Sequence, residues 1–251
     1  MTVPLSAAVD RAFDILELIG RSPRGVTNSE LSRKLAIPKS SASYILRTME
    51  GRGYLRLDRE TGRYKLGFKL LLLGRGVLAG IDLKETAVPM LRQLAERTTL
   101  TANLAILDGV EVVYIEKVEA AGFIKMDTWV GRRLPAHATS VGKAILAHLP
   151  EEERQALFKK RQLERRTPAT ILSVAKLFRE LDIIRRQGYS VDDEESSIGV
   201  RCIGAPIFGS AVKVEAAISV SGTTAQIDHT NLRRIAAQVR DTAAAISKQL
   251  G

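Results

Sequence analysis

Residues 27–66 restrict this chain more than any other stretch, because they fit two short helical patterns, a break of about three residues and a glycine-turned pair of alternating strands into one run. Thr27 and Glu30 form a Thr-x-x-Glu capping box, in which the hydroxyl accepts from the backbone N–H three residues on and the carboxylate reaches back. Leu31 and Leu35 mark the apolar side of that helix, and Ala36-Ile37 leads into Pro38, which cannot continue one helix but suits the start of the next. From Pro38 to Met49, Ala42, Ile45, Leu46 and Met49 fall at i, i+3, i+4 and i+7, one face of a helix. The opposite face carries Lys39, Ser40, Ser41, Ser43, Tyr44 and Arg47. Gly51 and Gly53 stop it. Tyr54 to Asp58 and Arg63 to Leu66 then alternate as strands around Arg59-Glu60-Thr61-Gly62, with Gly62 supplying a positive φ, and Arg56, Arg59, Arg63 and Lys65 decorate the hairpin.

Helix, tight turn, helix and basic hairpin, in that order, make a winged helix-turn-helix. Short hydroxyls at the start of the second helix allow close approach to base edges and phosphates, while Lys39, Tyr44 and Arg47 reach further along a groove. The implied partner is double-stranded DNA. An isolated helix with a polar face is better explained as merely solvated; here the capping box, short turn, apolar spacing and basic hairpin occur in order and argue otherwise. Charge agrees: residues 1–76 hold 14 Lys+Arg against 7 Asp+Glu, a net of +7 out of +10 for all 251 residues. The excess therefore sits where a polyanion would release its counterions.

Before this module, Ser6 is placed to cap a helix carrying Val9, Phe13, Leu16 and Ile19. After it, Gly67 to Ala79 reads as a helix whose Leu70, Leu71, Leu73, Val77 and Leu78 are too apolar for water, covered either by a copy of itself in a dimer or by its own chain. Asp82-x-x-Glu85 is a second capping box, opening a helix through about Arg97. Strands are expected at Ala102 to Leu107, Val112 to Val118 after an Asp108-Gly109 turn, Phe123 to Val130, Arg201 to Phe208 and Val214 to Val220. Helices are expected at Ser140 to Leu149, Glu152 to Lys160, Ser173 to Gln187 and Asn231 to Leu250. That mixture argues an α+β domain around an antiparallel sheet. Arg161 to Thr170 reads as an exposed loop whose basic run is solvated.

Several classes are disfavoured. One cysteine, Cys202, permits no intramolecular disulfide and no cysteine-rich zinc module, which suits a reducing compartment. Met1 to Asp10 lacks the pattern of a signal peptide and the longest apolar run, Leu70 to Leu73, is far too short for a bilayer, so a cytoplasmic protein without membrane contact is expected. His137, His148 and His229 lack metal-ligand spacing, and no metal or other cofactor is expected. Gly142-Lys143 is not a phosphate loop, since Ala144 replaces the magnesium-binding hydroxyl and His137 stands at the first glycine. Gly74, Gly76 and Gly80 follow no strand, so they make no dinucleotide fingerprint. A Cys202–His137 pair has no evident orienting group, and an enzyme is not expected. RNA binding lacks aromatic platforms.

Over essentially its whole length the chain resembles the IclR family of bacterial transcriptional regulators. The resemblance is carried by Met49-Glu50-Gly51-Arg52-Gly53-Tyr54-Leu55, Gly62-Arg63-Tyr64-Lys65-Leu66-Gly67, Leu134-Pro135-Ala136-His137-Ala138-Thr139-Ser140-Val141-Gly142-Lys143-Ala144, Gly188-Tyr189-Ser190-Val191-Asp192-Asp193-Glu194-Glu195 and Gly199-Val200-Arg201-Cys202-Ile203-Gly204-Ala205-Pro206. It implies a winged helix-turn-helix domain over residues 1–67, a linker helix over 68–80 and a GAF-like effector-binding domain over 81–251. It also implies homodimers that pair into tetramers on a palindromic operator, repression in most members and activation in a minority, and a small carboxylate or aromatic acid as effector.

The family's pocket for a small oxo-acid, carried over by motif, implies roles for Asp192, Cys202, Ser219, Ser221 and the Ser140-Val141 amides. The physics is reasonable, because a helix start offers unsatisfied N–H groups and partial positive charge, and serines two apart on a strand share a face. Phe123 and Met126 would supply the apolar wall, with Trp129 as an addition and His137 at the mouth. Asp192 suits an anionic ligand only if it is protonated, accepts from a ligand hydroxyl or acts through water.

Overall fold

A computed structural model describes residues 6–78, 82–120, 126–159, 161–209 and 213–250. Contacts divide the chain into two compact units, residues 1–80 and 81–251.

The first unit holds α1 (Ala7–Gly20), β1 (Val26–Thr27), α2 (Asn28–Lys34), α3 (Lys39–Gly51), β2 (Leu55–Asp58), β3 (Arg63–Leu66) and α4 (Lys69–Leu78). The capping box forms as the sequence predicts: Glu30 N donates to Thr27 Oγ1 at 3.2 Å and Thr27 N to Glu30 Oε2 at 2.9 Å. The strands pair antiparallel in the order β1-β3-β2, with Leu55 opposite Leu66 and Asp58 opposite Arg63. Gly62 in the connecting turn has φ of 66°. Ile15, Ile19, Leu31, Ala42, Leu46, Met49 and Leu55 bury one core beneath the two reading helices.

Three details differ from expectation. The Ser6 side chain makes no cap hydrogen bond. Val9 and Phe13 are exposed while Ile15 and Ile19 are buried, so the helix turns a different stripe to the core from the one read off Val9 and Phe13. The predicted linker helix begins at Lys69 because Gly67 N is already bonded to Tyr54 O, which anchors that residue to the wing.

The second unit contains α5 (Asp82–Thr98), β4 (Thr101–Asp108), β5 (Glu111–Val118), β6 (Arg133–Pro135), a 3-10 turn (Ala136–Ala138), α6 (Ser140–Leu146), α7 (Glu151–Phe158), α8 (Val174–Gln187), β7 (Ser190–Asp193), β8 (Val200–Phe208), β9 (Val214–Thr223) and α9 (Leu232–Leu250). Its strands form one antiparallel sheet in the order β6-β5-β4-β9-β8-β7. Helix α6 lies against β8 and β9, α8 lies against α6, and α9 packs on α5 and β8. Gly204 allows the approach of α6: a Cβ there would come 2.8 Å from the Ser140 carbonyl carbon.

The strand expected over Phe123 to Val130 is absent from Met126 to Val130. There Arg132 N folds back on Trp129 O and Arg132 pairs with Asp127, so the chain turns before it rejoins β5 as the short edge strand β6. Phe123 and the Asp82 side chain lie outside the described part. The short strand β7 was not anticipated, and α6 stops at Leu146 rather than Leu149.

Candidate functional site

Two surfaces concentrate chemistry, one in each unit. On α3 the buried stripe of Ala42, Leu46 and Met49 fixes the opposite face outward. Lys39, Ser40, Tyr44 and Arg47 are exposed, with Tyr44 at 74%, while Ser41 and Ser43 are half-buried. Arg11 of α1 donates to Ser41 Oγ at 3.5 Å, a neighbour that sequence spacing did not reveal. A tyrosine ring left in water on a rigid helix is poised to fill a groove.

The wing cations are less alike than they look in sequence. Arg63 donates from both terminal nitrogens to Glu30, at 3.0 and 3.1 Å, and to Gly25 O at 2.9 Å. It therefore clamps β3 to the α2 cap instead of standing free. The Thr27 amide and then Arg63 hold the Glu30 carboxyl below its ordinary range. Lys65 pairs with Asp58 at 3.1 Å, and Arg56 lies over the Phe68 ring at 5.2 Å. Arg59 is exposed and has no partner among the described residues.

In the second unit a cavity of about 70 Å³ opens between the start of α6, the Met126–Arg132 loop and the turn after β7. Of the residues implied for it, Met126, Ser140, Asp192, Cys202 and Ser221 line it. Register explains the clustering, since Asp192 pairs with Cys202 and Cys202 with Ser221 across three adjacent strands. Ser219 is buried behind Ser221; Asn103 Nδ2 donates to both hydroxyls, at 3.5 and 3.2 Å, and Thr128 donates to Asn103 Oδ1 at 3.2 Å. The Val141 side chain belongs to the core, so only its amide remains for a ligand. At the start of α6, Thr139 Oγ1 takes the Gly142 amide and Thr139 O takes that of Lys143. The Ser140 and Val141 amides are left without an acceptor among the described residues, as helix starts require.

Asp192 is committed. Its Oδ1 accepts from the Glu195 and Ser196 amides, at 2.8 and 3.2 Å, and its Oδ2 from the Ser196 hydroxyl, so it caps the turn that forms one wall. Burial pushes its pKa up against these bonds. Burial likewise pushes the Cys202 thiol and the Tyr114 phenol well above their usual ranges, and both face the cavity. A neutral thiol is a poor nucleophile.

Sequence reasoning missed Asn103, Tyr114, Arg132 and Arg166, and it placed Arg166 in a solvated run. That loop is exposed at Arg161, Arg165 and Arg166, as expected, yet Thr167 and Thr170 are buried and bond the Glu195 carbonyl, which brings Arg166 to the rim of the cavity. His137 is also elsewhere. Its Nε2 lies 3.1 Å from Glu164 O beside a separate groove along β6, and burial lowers its pKa. Among the described residues no cluster of three or more His, Cys, Asp or Glu side chains is placed to hold a metal.

Comparison with known proteins decides the family. Residues 8–59 match the IclR helix-turn-helix domain and residues 75–248 match the bacterial transcriptional regulator IclR C-terminal domain. The chain belongs to the IclR family. It is 37% identical to the HTH-type transcriptional regulator XynR of Escherichia coli, with 99% of each chain covered. It is 33% identical to the transcriptional repressor IclR of that organism, covering 100% of this chain and 93% of the relative. Among solved structures, Thermotoga maritima IclR is 34% identical with a TM-score of 0.83, over 97% of this chain and 98% of that one. An IclR homologue from Microbacterium hydrocarbonoxydans, complexed with 4-hydroxybenzoate, is 27% identical with a TM-score of 0.84, over 97% and 99%. This chain is thus an IclR-type helix-turn-helix transcriptional regulator, a DNA-binding protein of an effector-responsive family rather than an enzyme. Among the described residues no helix is long and apolar enough to cross a membrane.

Proposed function

We propose that the protein is a cytoplasmic repressor that grips a palindromic operator through α3 and the wing, and alters that grip when a small organic acid enters the cavity of the second unit. The cavity carries this reading. Ser140, Cys202 and Ser221, from α6, β8 and β9, converge on one opening beside two unsatisfied helix-start amides, an arrangement suited to a carboxylate. Met126 supplies apolar wall, Ser219 supports Ser221, and Asp192 shapes the turn. Repression is favoured over activation because relatives such as IclR and AllR of Escherichia coli are named repressors.

A homodimer that pairs further into a tetramer, as the family resemblance implies, is part of this reading, and the exposed stripe at the start of α4 supports its first step. Phe68, Leu71 and Leu72 recur at i, i+3 and i+4 and are each about 70% exposed, a stripe that a second copy would cover. Two copies related by a twofold axis match a palindrome.

A mobility-shift assay with the DNA upstream of the protein's own gene, with and without candidate acids, tests the proposal. Sequence-selective binding that changes with one class of acid is expected. Binding indifferent both to sequence and to every acid would refute it.

A further inference from the structure

The second unit carries another, larger groove of about 520 Å³, between the end of α7 and the edge strand β6, which shares no lining residue with the cavity described above. One wall is the segment Arg161 to Glu164, the other is Pro135, and Val110 and Phe158 lie between them. From 161 to 166 the chain runs without helix, turn or bend. It is nonetheless fixed: Leu163 packs on the core, Glu164 O holds His137 Nε2 at 3.1 Å, and Thr167 Oγ1 donates to Glu194 O at 2.7 Å. Along it the amides of Gln162, Leu163, Glu164 and Arg165 and the carbonyls of Gln162 and Leu163 have no partner among the described residues. A held, unbent backbone with free donors and acceptors is a template for another strand.

We propose that this groove docks an extended acidic peptide of a partner protein, which pairs its backbone with residues 162–165, rests an apolar side chain on Phe158 and Leu163, and sets carboxylates beside Arg161. Three further observations point to that chemistry. Charge at the groove is one-sided: Glu111 and Glu164 are occupied by Arg133 and Arg166, at 2.8 and 3.2 Å, whereas Lys159, Arg161 and Arg165 are exposed and have no acidic partner among the described residues. His137, 3% exposed, adds a polar group of known sense. The Glu164 carbonyl can only accept, so Nε2 carries the ring proton, and Nδ1, without a partner among the described residues, is a bare acceptor suited to a peptide N–H. Pro135 lacks an N–H, so the β6 wall cannot supply a ladder and the pairing falls to the opposite wall. A nucleic acid would use the cations and leave the free amides and the apolar floor unused. The chain's own exposed acidic run, Glu151 to Glu153, is helical, so a second copy cannot offer it as a strand.

Fluorescence anisotropy with the full-length protein tests the proposal, using labelled acetyl-Glu-Asp-Leu-Glu-Val-Glu-Asp-amide and its forms with Phe or Val in place of Leu. At least one should bind with a Kd of about 100 µM or tighter. The same peptide with every acid replaced by Lys, and the same peptide with alternate amides N-methylated, should each bind roughly tenfold more weakly or worse. Arg161→Glu with Arg165→Glu, both on the surface, should weaken the acidic peptide roughly tenfold, improve the lysine peptide, and leave the thermal unfolding curve in place. The proposal is overturned if the N-methylated peptide binds as well as its parent, if acidic and basic peptides bind alike, or if none binds at about 1 mM. Two other occupants would also overturn it. A smaller salt slope for random duplex in the double variant would make the loop a nucleic-acid contact, and a changed sedimentation coefficient in that variant would make the groove an interface between copies. None of these readouts involves an acid effector, so failure here leaves the proposed function untouched.

Discussion

Lys143 offers the sharpest test of how the second unit is held together. Its side chain has no exposed surface, its ammonium meets Glu195 Oε1, and Glu180 Oε1 lies 3.9 Å away. Glu195 Oε2 has no hydrogen-bond partner among the described residues. Lys143→Met keeps the stem and removes the charge, which leaves a carboxylate 10% exposed with neither oxygen paired. Removing one partner of a buried pair costs about 3–5 kcal/mol, and in a unit of this size each kcal/mol lowers Tm by roughly 2–4 °C. A drop of about 6–20 °C is expected.

The pH dependence has a definite sign. Burial already raises the Glu195 pKa despite Lys143, and losing the lysine raises it further. The folded state then holds the proton more tightly than the unfolded state, so the defect vanishes where both are protonated and grows as pH rises through the ordinary carboxylate range. Thermal unfolding of the full chain near pH 5 and near pH 8 should show the larger loss at the higher pH. Adding Glu195→Gln should restore most of it. A loss under about 1 kcal/mol that ignores pH, or a double variant no better than the single one, would refute the reasoning.

The DNA face and the thiol give further tests. Tyr44→Ala should weaken operator binding roughly tenfold while affinity for random duplex stays within about twofold, measured by mobility shift. Arg59→Ala should weaken all duplexes alike and reduce the slope of log affinity against log salt by about 1, whereas Lys65→Ala should leave that slope nearly unchanged. Arg63→Ala should lower the melting temperature of the first unit, because it releases β3 from the α2 cap; an unchanged melting curve with a smaller salt slope would return Arg63 to the phosphates. Cys202 should react with a disulfide reagent far more slowly at pH 8 than a free thiol does, and rapid labelling of the folded protein would contradict its raised pKa.

Legibility in sequence followed locality. The α2 cap, the α3 stripe and the wing turn are set within a few residues, and each forms as its spacing predicts. The strands β4, β8 and β9 were legible because buried apolar and small residues run through most of their eight to ten positions, and β5 because its β-branched residues follow a glycine turn. The strands β6 and β7 were not: three or four residues at a sheet edge, held by their neighbours, leave no periodic trace. The cavity divides the same way. Cys202, Ser219 and Ser221 stand in recognisable runs. Asn103, Arg132 and Arg166 arrive from three separated segments through strand register, a turn and two buried threonines, contacts that depend on the whole sheet being assembled.

The same distinction explains why charge counts mislead here. Read linearly, Arg56, Arg63 and Lys65 are wing cations for phosphate, Lys143 invites comparison with a phosphate loop, and Arg166 is one more charge in a solvated run. Folded, Arg63 and Lys65 each neutralise a carboxylate of their own unit, Arg56 covers an aromatic ring, Lys143 is sealed against Glu195 and Arg166 faces the cavity. The net charge of the first seventy-six residues is unchanged by these pairings, so the long-range attraction to a polyanion survives. What shrinks is the number of cations free to displace counterions at close range, leaving Lys39, Arg47 and Arg59 among the candidates. Specificity must then come more from the hydroxyl and tyrosine face of α3 than from the strength of its electrostatic grip. On the proposed function, a modest change in the fit of that face is enough to shift operator affinity, within the few kcal/mol that differential binding of one small molecule supplies.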